Sequence, residues 1–168
     1  AELVAQAAIA EGKYAQGFPN FGPERRGAPV LAFNRVSIGS PIRTRAGIEN
    51  PDIMVVLDSN LLSIGNIAAT LKKGGIIVIN SNRSVDELAA EFSGLSKLAV
   101  IDASKIALEV LGVPIVNTTM IGALIKASGL VKIESMSQPL EKRFGRIAEK
   151  NMNAMKKAYD ETQIKECS

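Results

Sequence analysis

"IMVVLD", residues 53–58, is a short apolar run rich in β-branched side chains that ends on an aspartate. It is too short for a buried helix and lacks the alternation of a strand with one wet face, so it predicts a strand covered on both sides. The same signature returns in "GIIVINS" (75–81) and "LAVIDA" (98–103). Helical pattern fills the intervals: roughly 60–73 before Gly74-Gly75, then "SVDELAAEFSG" (84–94), where Ser84 and Glu87 have the spacing of a capping box. "SKIALEVLG" (104–112) follows the last run, with Gly112 as its stop. Strands and helices alternating at this interval predict an α/β fold, a doubly wound and mostly parallel sheet flanked by helices.

Outward from that centre, "ELVAQAAIAE" (2–11) carries an alanine-rich helical stripe closed by Gly12, and "PVLAFNRVS" (29–37) alternates as a half-covered strand does. In an α/β domain a helix of this kind follows a strand, so an N-terminal strand and turn are expected before it. The C-terminal third reads as helical: "TTMIGALIKAS" (118–128), "KIESMSQPLEKRF" (132–144) and "RIAEKNMNAMKKAYDETQ" (146–163), with Pro139 expected to kink or interrupt the second. The 168 residues, 46% hydrophobic and 22% charged, fit one ordinary globular domain.

Composition narrows the chemistry. With no histidine and a single cysteine, Cys167, the chain owns no ligand set for a thiolate-held cluster or a zinc site and no base for a His-dependent triad. The net charge of +3 is mild, and Lys and Glu alternate through the C-terminal third as on solvated helix faces, which argues against nucleic acid as partner. The longest apolar runs fall far below the ~18 residues of a membrane-spanning helix. No signal peptide is visible, and the expected location is cytoplasmic.

Open parallel sheets place ligands beyond the carboxyl ends of their strands. Asp58-Ser59-Asn60, Asn80-Ser81-Asn82 and Asp102 stand there, and they suit helix N-capping as well as they suit a ligand. Neither a dinucleotide glycine fingerprint nor a P-loop follows any of these strands. The second unusual feature is "FPNFGPERRGAP" (18–29). Five of the eight arginines, Arg25, Arg26, Arg35, Arg43 and Arg45, fall in a 21-residue span without lysine. Arginine offers a planar donor fork to phosphate or carboxylate and tolerates partial burial at interfaces. Phe18 and Phe21 would be costly to expose unless another surface covers them. Three readings follow: an anion site, a clamp on a partner subunit, or an internally packed loop with a Glu24–Arg ion pair.

"GKYAQGFPNFGPERRGAPVLAFNRVS", "IRTRAGIENPDIMVVLD", "VNTTMIGALIKASGLV" and "NMNAMKKAYD" closely resemble the gamma subunit of pyruvate:ferredoxin oxidoreductase (pyruvate synthase) and its 2-oxoacid relatives. The resemblance runs through nearly the whole chain. FGPERRGAP is one specific motif, and Asn117, Thr118, Met120, Gly122 and Ala123 form a second. Family members open with a strand and a glycine-rich GRGGQG turn, which this sequence lacks; that agrees with the strand expected above.

The resemblance implies a single gamma-type domain, residues 1–168, with no catalytic residue or metal site of its own. It implies partners: alpha, beta and delta subunits of the same oxidoreductase, with ferredoxin reached through the complex. The assembled enzyme would decarboxylate a 2-oxoacid on thiamine diphosphate and Mg, pass electrons through [4Fe-4S] clusters, and transfer the acyl group to coenzyme A. Phe21, Gly22, Pro23, Glu24, Arg25, Arg26 and Gly27, with Asn117 and Thr118, are the candidates for contact with coenzyme A or a partner subunit. Pyruvate is the expected substrate; 2-oxoisovalerate, 2-oxoglutarate or an aryl pyruvate is the alternative, and a non-catalytic nucleotide- or metabolite-binding module is the rival of another class.

Overall fold

The computed structural model describes residues 1–20, 30–63 and 67–167. Its centre is a four-stranded sheet in the order β3 (Ile53–Val56), β4 (Ile76–Asn80), β5 (Lys97–Ile101), β6 (Gln163–Glu166). The three apolar runs pair in parallel, Val55 beside Val78 and Val78 beside Ala99, while β6 joins β5 antiparallel. Alternate side chains point to opposite faces. Ile77, Ile79, Leu98 and Val100 therefore enter one core, with Val56, Leu71 and Leu88. Val78, Ala99 and Ile101 enter another, with Met120, Ala123 and Ala127. Both faces are covered, as the uninterrupted apolar runs require, and full burial of each large side chain contributes about 1.5–3 kcal/mol.

Because sequential parallel strands lie side by side, right-handed crossovers put both connections on one face. Leu88 of α2 (Val85–Ala89) packs there. The opposite face is covered by α4 (Thr119–Ser128), with α3 (Ala103–Leu111) and α6 (Ala148–Glu161) against it. Gly122 decides how closely α4 meets α6. A Cβ there would collide with the Met155 carbonyl oxygen and stand 2.9 Å from the Met155 carbonyl carbon and 3.0 Å from the Tyr159 nitrogen. Thr118 and Asn151 tie the same two helices at their starts: the Thr118 hydroxyl donates to Asn151 Oδ1 at 2.6 Å, and Asn151 Nδ2 donates to the Ile147 carbonyl at 2.9 Å.

Several boundaries depart from the sequence expectations. The helix expected over 60–73 is instead, where described, two 3-10 turns at Ser59–Ser63 and Ile67–Thr70. Ser63 Oγ donates back to the Asn60 carbonyl at 2.7 Å, a local bond that competes with helix propagation. Pro139 does not kink a helix. The 132–144 stretch divides into a 3-10 turn, Ile133–Met136, and α5, Ser137–Phe144. Pro139 thus sits in the first turn of α5, where its missing N–H removes no intrahelical bond. The last expected helix ends at Glu161; Thr162 is extended, and β6 follows.

An unforeseen element lies beside this frame. After α1 (Glu2–Ala10) and Gly12, β1 (Tyr14–Asn20) pairs antiparallel with β2 (Leu31–Ser37) as a separate two-stranded sheet. "KYAQGFPN" conceals β1 because Gly17 and Pro19 are poor strand residues, tolerated in a two-stranded ribbon with free edges. Ala15 and Val36, register partners, pack with Val4, Ala7 and Ala8 of α1 into a third core that also holds Ile121, Leu140 and Met155.

Candidate functional site

The hairpin is the part of the molecule whose side chains are least matched from within. Its outward face carries the register pairs Gln16–Arg35 and Phe18–Phe33. The two rings stack tilted at 5.6 Å between centroids, and the Arg35 guanidinium lies 5.8 Å from the Phe18 centroid. Residues 38–50 then fold back as a strap over this face. Gln16 Nε2 donates to the Ile42 carbonyl at 3.1 Å, and Arg35 Nη2 donates to the Gly47 carbonyl at 3.2 Å. Phe18 is thereby half-buried by the chain itself, so its cover is internal, and Arg35 serves the same packing.

The match is incomplete. Gln16 Oε1, Asn34 Oδ1 and Arg35 Nη1 are buried without a hydrogen-bond partner, three of the four such side-chain atoms among the described residues. The fourth is Thr119 Oγ1 at the start of α4. Buried polar atoms are normally satisfied, so the concentration on one hairpin marks a region under less internal constraint than the sheet.

Of the expected site residues, Phe21, Gly22, Pro23, Glu24, Arg25, Arg26 and Gly27 lie outside the described residues. The last register pair of the hairpin before that stretch is Asn20 with Leu31. Asn117 is exposed, whereas Thr118 is 4% exposed and its hydroxyl is committed to Asn151. Asn117 stands exposed just before α4, and Thr118 ties the start of that helix to α6.

The carboxyl ends of the parallel strands resolve toward structural roles. Asp102 Oδ1 accepts from the Lys105 N–H at 2.9 Å and caps α3, and Ser84 with Glu87 forms the full capping box of α2. Asn80 works as a clasp. Its Oδ1 accepts from the Ala103 N–H at 2.9 Å, while Nδ2 donates to the Leu57 carbonyl at 2.9 Å and to Ser104 Oγ at 3.0 Å. Beyond these ends a shallow cleft of about 340 Å³ opens between Ser59, Ser63, Ser81 and Arg83, but the Arg83 guanidinium is held by Glu91 at 2.6 Å. Among the described residues, no three His, Cys, Asp or Glu side chains come together to hold a metal ion.

One partly buried carboxylate was not foreseen. Glu11, at the end of α1, accepts from the Lys132 N–H at 2.6 Å and the Ser135 hydroxyl at 2.7 Å, and pairs with Lys13 at 2.8 Å. Burial alone would raise its pKa, but these donors and the Lys13 charge together hold it down to about 2. Glu11 therefore fastens α1 to the turn that opens α5. Its nearest donors lie 121 and 124 residues away in sequence, so no local spacing announces it.

The profile of the pyruvate ferredoxin/flavodoxin oxidoreductase family matches residues 1–161. The chain is 47% identical, over 98% of its length and 89% of the relative's, to the pyruvate/ketoisovalerate oxidoreductases common subunit gamma of Pyrococcus furiosus. It is 46% identical, over 97% of its length and 87% of the relative's, to the pyruvate synthase subunit PorC of Methanothermobacter thermautotrophicus. The crystal structure of the pyruvate oxidoreductase subunit PORC from Thermotoga maritima superposes with a TM-score of 0.82 at 35% identity, covering 98% of this chain and 89% of that one. Sequence profile, relatives and fold agree, and the chain belongs to the pyruvate ferredoxin/flavodoxin oxidoreductase family.

Proposed function

We propose that this chain is the gamma subunit of a 2-oxoacid:ferredoxin oxidoreductase acting on pyruvate, and that it works only in the assembled enzyme. The observation that carries the reading is identity of 45–48% across almost the entire chain to gamma and PorC subunits. The residue inventory supports the division of labour. Without histidine, and with one cysteine, this chain has no donor set for an iron-sulfur cluster, and in this reading the clusters and the thiamine diphosphate with its Mg are held by alpha, beta and delta partners. Thiamine diphosphate supplies the carbanion chemistry in that complex. This chain's residues supply positioning. In this reading Glu24, Arg25 and Arg26 of the motif contact the coenzyme A phosphates or the partner's surface, with Asn117 as a further contact.

Reconstitution tests this. A complex containing the chain should catalyse pyruvate- and coenzyme A-dependent reduction of a viologen dye, and the complex lacking it should not. Arg26→Ala should raise the Michaelis constant for coenzyme A or release the chain from the complex; normal values for both would remove Arg26 from the site. The Pyrococcus relative is named as a subunit common to pyruvate and ketoisovalerate oxidoreductases, which favours a second reading in which the same chain also serves a 2-oxoisovalerate enzyme. Reconstitution with each set of partner subunits would decide it. Cytoplasmic location follows from ferredoxin as electron acceptor; among the described residues, no helix is long and apolar enough to cross a membrane.

A further inference from the structure

We infer that the outer surface of the strap, rather than the hairpin's stacked interior, is a docking surface for an acidic-rimmed apolar groove on a companion subunit. This rests on the gamma-subunit reading and extends it to residues that the motif does not contain. Ile38, where the strap begins, is 86% exposed, and Val30 and Leu31 at the other end of β2 are 71% and 50% exposed. Large apolar side chains this open, at both ends of β2, fit a protein interface better than they fit solvent.

Charge supplies the partner's chemistry. Residues 30–48 contain three arginines and no acidic residue or lysine. Arg35 is used inside, bonded to Gly47 and stacked on Phe18. Arg43 and Arg45 are exposed, and among the ion pairs of the described residues neither takes part. Elsewhere some exposed cations are paired, Lys72 with Asp52, Lys157 with Glu109 and Lys165 with Asp86, while Lys142 and Arg146 on the C-terminal segment are exposed and form no ion pair among the described residues. The strap thus joins the exposed Ile38 to two exposed guanidinium forks, and its one carboxylate, Glu49, is exposed and forms no ion pair with either among the described residues. Guanidinium forks bind carboxylates in bidentate fashion and are enriched at interface anchors, so the complementary surface is apolar at its centre and lined with Asp or Glu.

The experiment uses the reconstituted multi-subunit enzyme. Arg43→Glu/Arg45→Glu should weaken retention of this chain by about tenfold or more and steepen its loss with added salt, because reversed charges would face the partner's carboxylates. Melting of the isolated chain should not change, since neither side chain has an ion-pair partner among the described residues. Lys142→Glu/Arg146→Glu, an equal charge change at exposed positions on the C-terminal helices, should leave retention as in the unaltered protein. A photo-reactive residue at position 38 should cross-link to an Asp- or Glu-rich segment of a companion subunit. The inference is overturned by normal retention of Arg43→Glu/Arg45→Glu, by equal weakening in both double variants, by cross-links to a second copy of this chain, or by a raised KM for coenzyme A with retention intact. If the unaltered chain fails to assemble at all, the gamma-subunit reading fails instead.

Discussion

Ile77, Ile79, Leu98 and Val100 on one face of the central sheet, and Val78, Ala99 and Ile101 on the other, are buried beneath elements of this same chain. The β1–β2 hairpin is built differently. Tyr14, Val30, Leu31 and Ile38 stand exposed along it, and three buried polar atoms inside it have no partner. Apolar burial and polar satisfaction normally go together, because a stable core needs both. The sheet achieves both alone. The hairpin achieves neither fully, which is what a surface completed by another molecule looks like before it is completed. Substitutions in the sheet and its helices should therefore act on stability, and substitutions on the arm should act on assembly.

The largest effect is expected at Gly122. Valine there would drive a Cβ into the backbone of Met155 and Tyr159, which cannot move without separating α4 from α6. Gly122→Val should cost about 4 kcal/mol or more, read as loss of soluble protein or of a cooperative melting transition. A well-folded variant with an unchanged melting temperature would break the claim that α4 and α6 meet through this residue.

Asn80→Ala should come next. It removes the acceptor of the Ala103 N–H and the donor to the Leu57 carbonyl, so the join between β3, β4 and the start of α3 loosens. About 2 kcal/mol of destabilisation is expected in urea unfolding. If Asn80 were a ligand contact instead, stability would hold and substrate or coenzyme constants would move.

Glu11→Gln sharpens the comparison through pH. The carboxylate's folded-state pKa of about 2 lies below the ordinary 4.5, so its contribution is fully present above pH 4.5 and is lost as pH falls toward 2. At neutral pH the variant should be about 1.5 kcal/mol less stable. The gap between the two urea midpoints should close as the buffer is taken from pH 5 toward pH 2. A gap that stays constant across that range would show that the Glu11 charge is not what holds α1 to the Lys132 turn.

Legibility in the sequence followed the same division. "IMVVLD", "GIIVINS" and "LAVIDA" announced the parallel strands because burial on both faces leaves only apolar side chains to choose from. Capping was equally local: Ser84 with Glu87, and Asp102 before α3, act within three residues of themselves. Of the hairpin only β2 was legible, as the alternating stretch 29–37. Gly17 and Pro19 disguise β1, and its pairing with β2 spans the motif segment. β6 was hidden because "QIKE" continues a helical charge pattern; only Lys165 bonding to Asp86 and Val85 bonding to Gln163, 79 and 78 residues away, hold it to α2 beside the sheet. Of the candidate site residues, the burial of Thr118 depended on Asn151, 33 residues on, which no motif spacing encodes.

Ile38→Ser has the smallest expected effect on the isolated chain and bears most directly on the contrast between the two regions. At 86% exposure the side chain has almost no internal contact to lose, so melting should shift by no more than about 0.5 kcal/mol equivalent. Were stability all that shaped this position, the substitution would be silent everywhere. In the reconstituted complex it should instead speed release of the chain, because an exposed apolar anchor on the strap would be replaced by a hydroxyl with less area to bury. Dissociation rates of the serine variant and the unaltered protein, measured at one salt concentration, separate the two accounts. Equal rates would mean that Ile38 is merely tolerated in solvent, and the strap would then be a cover for the hairpin and nothing more.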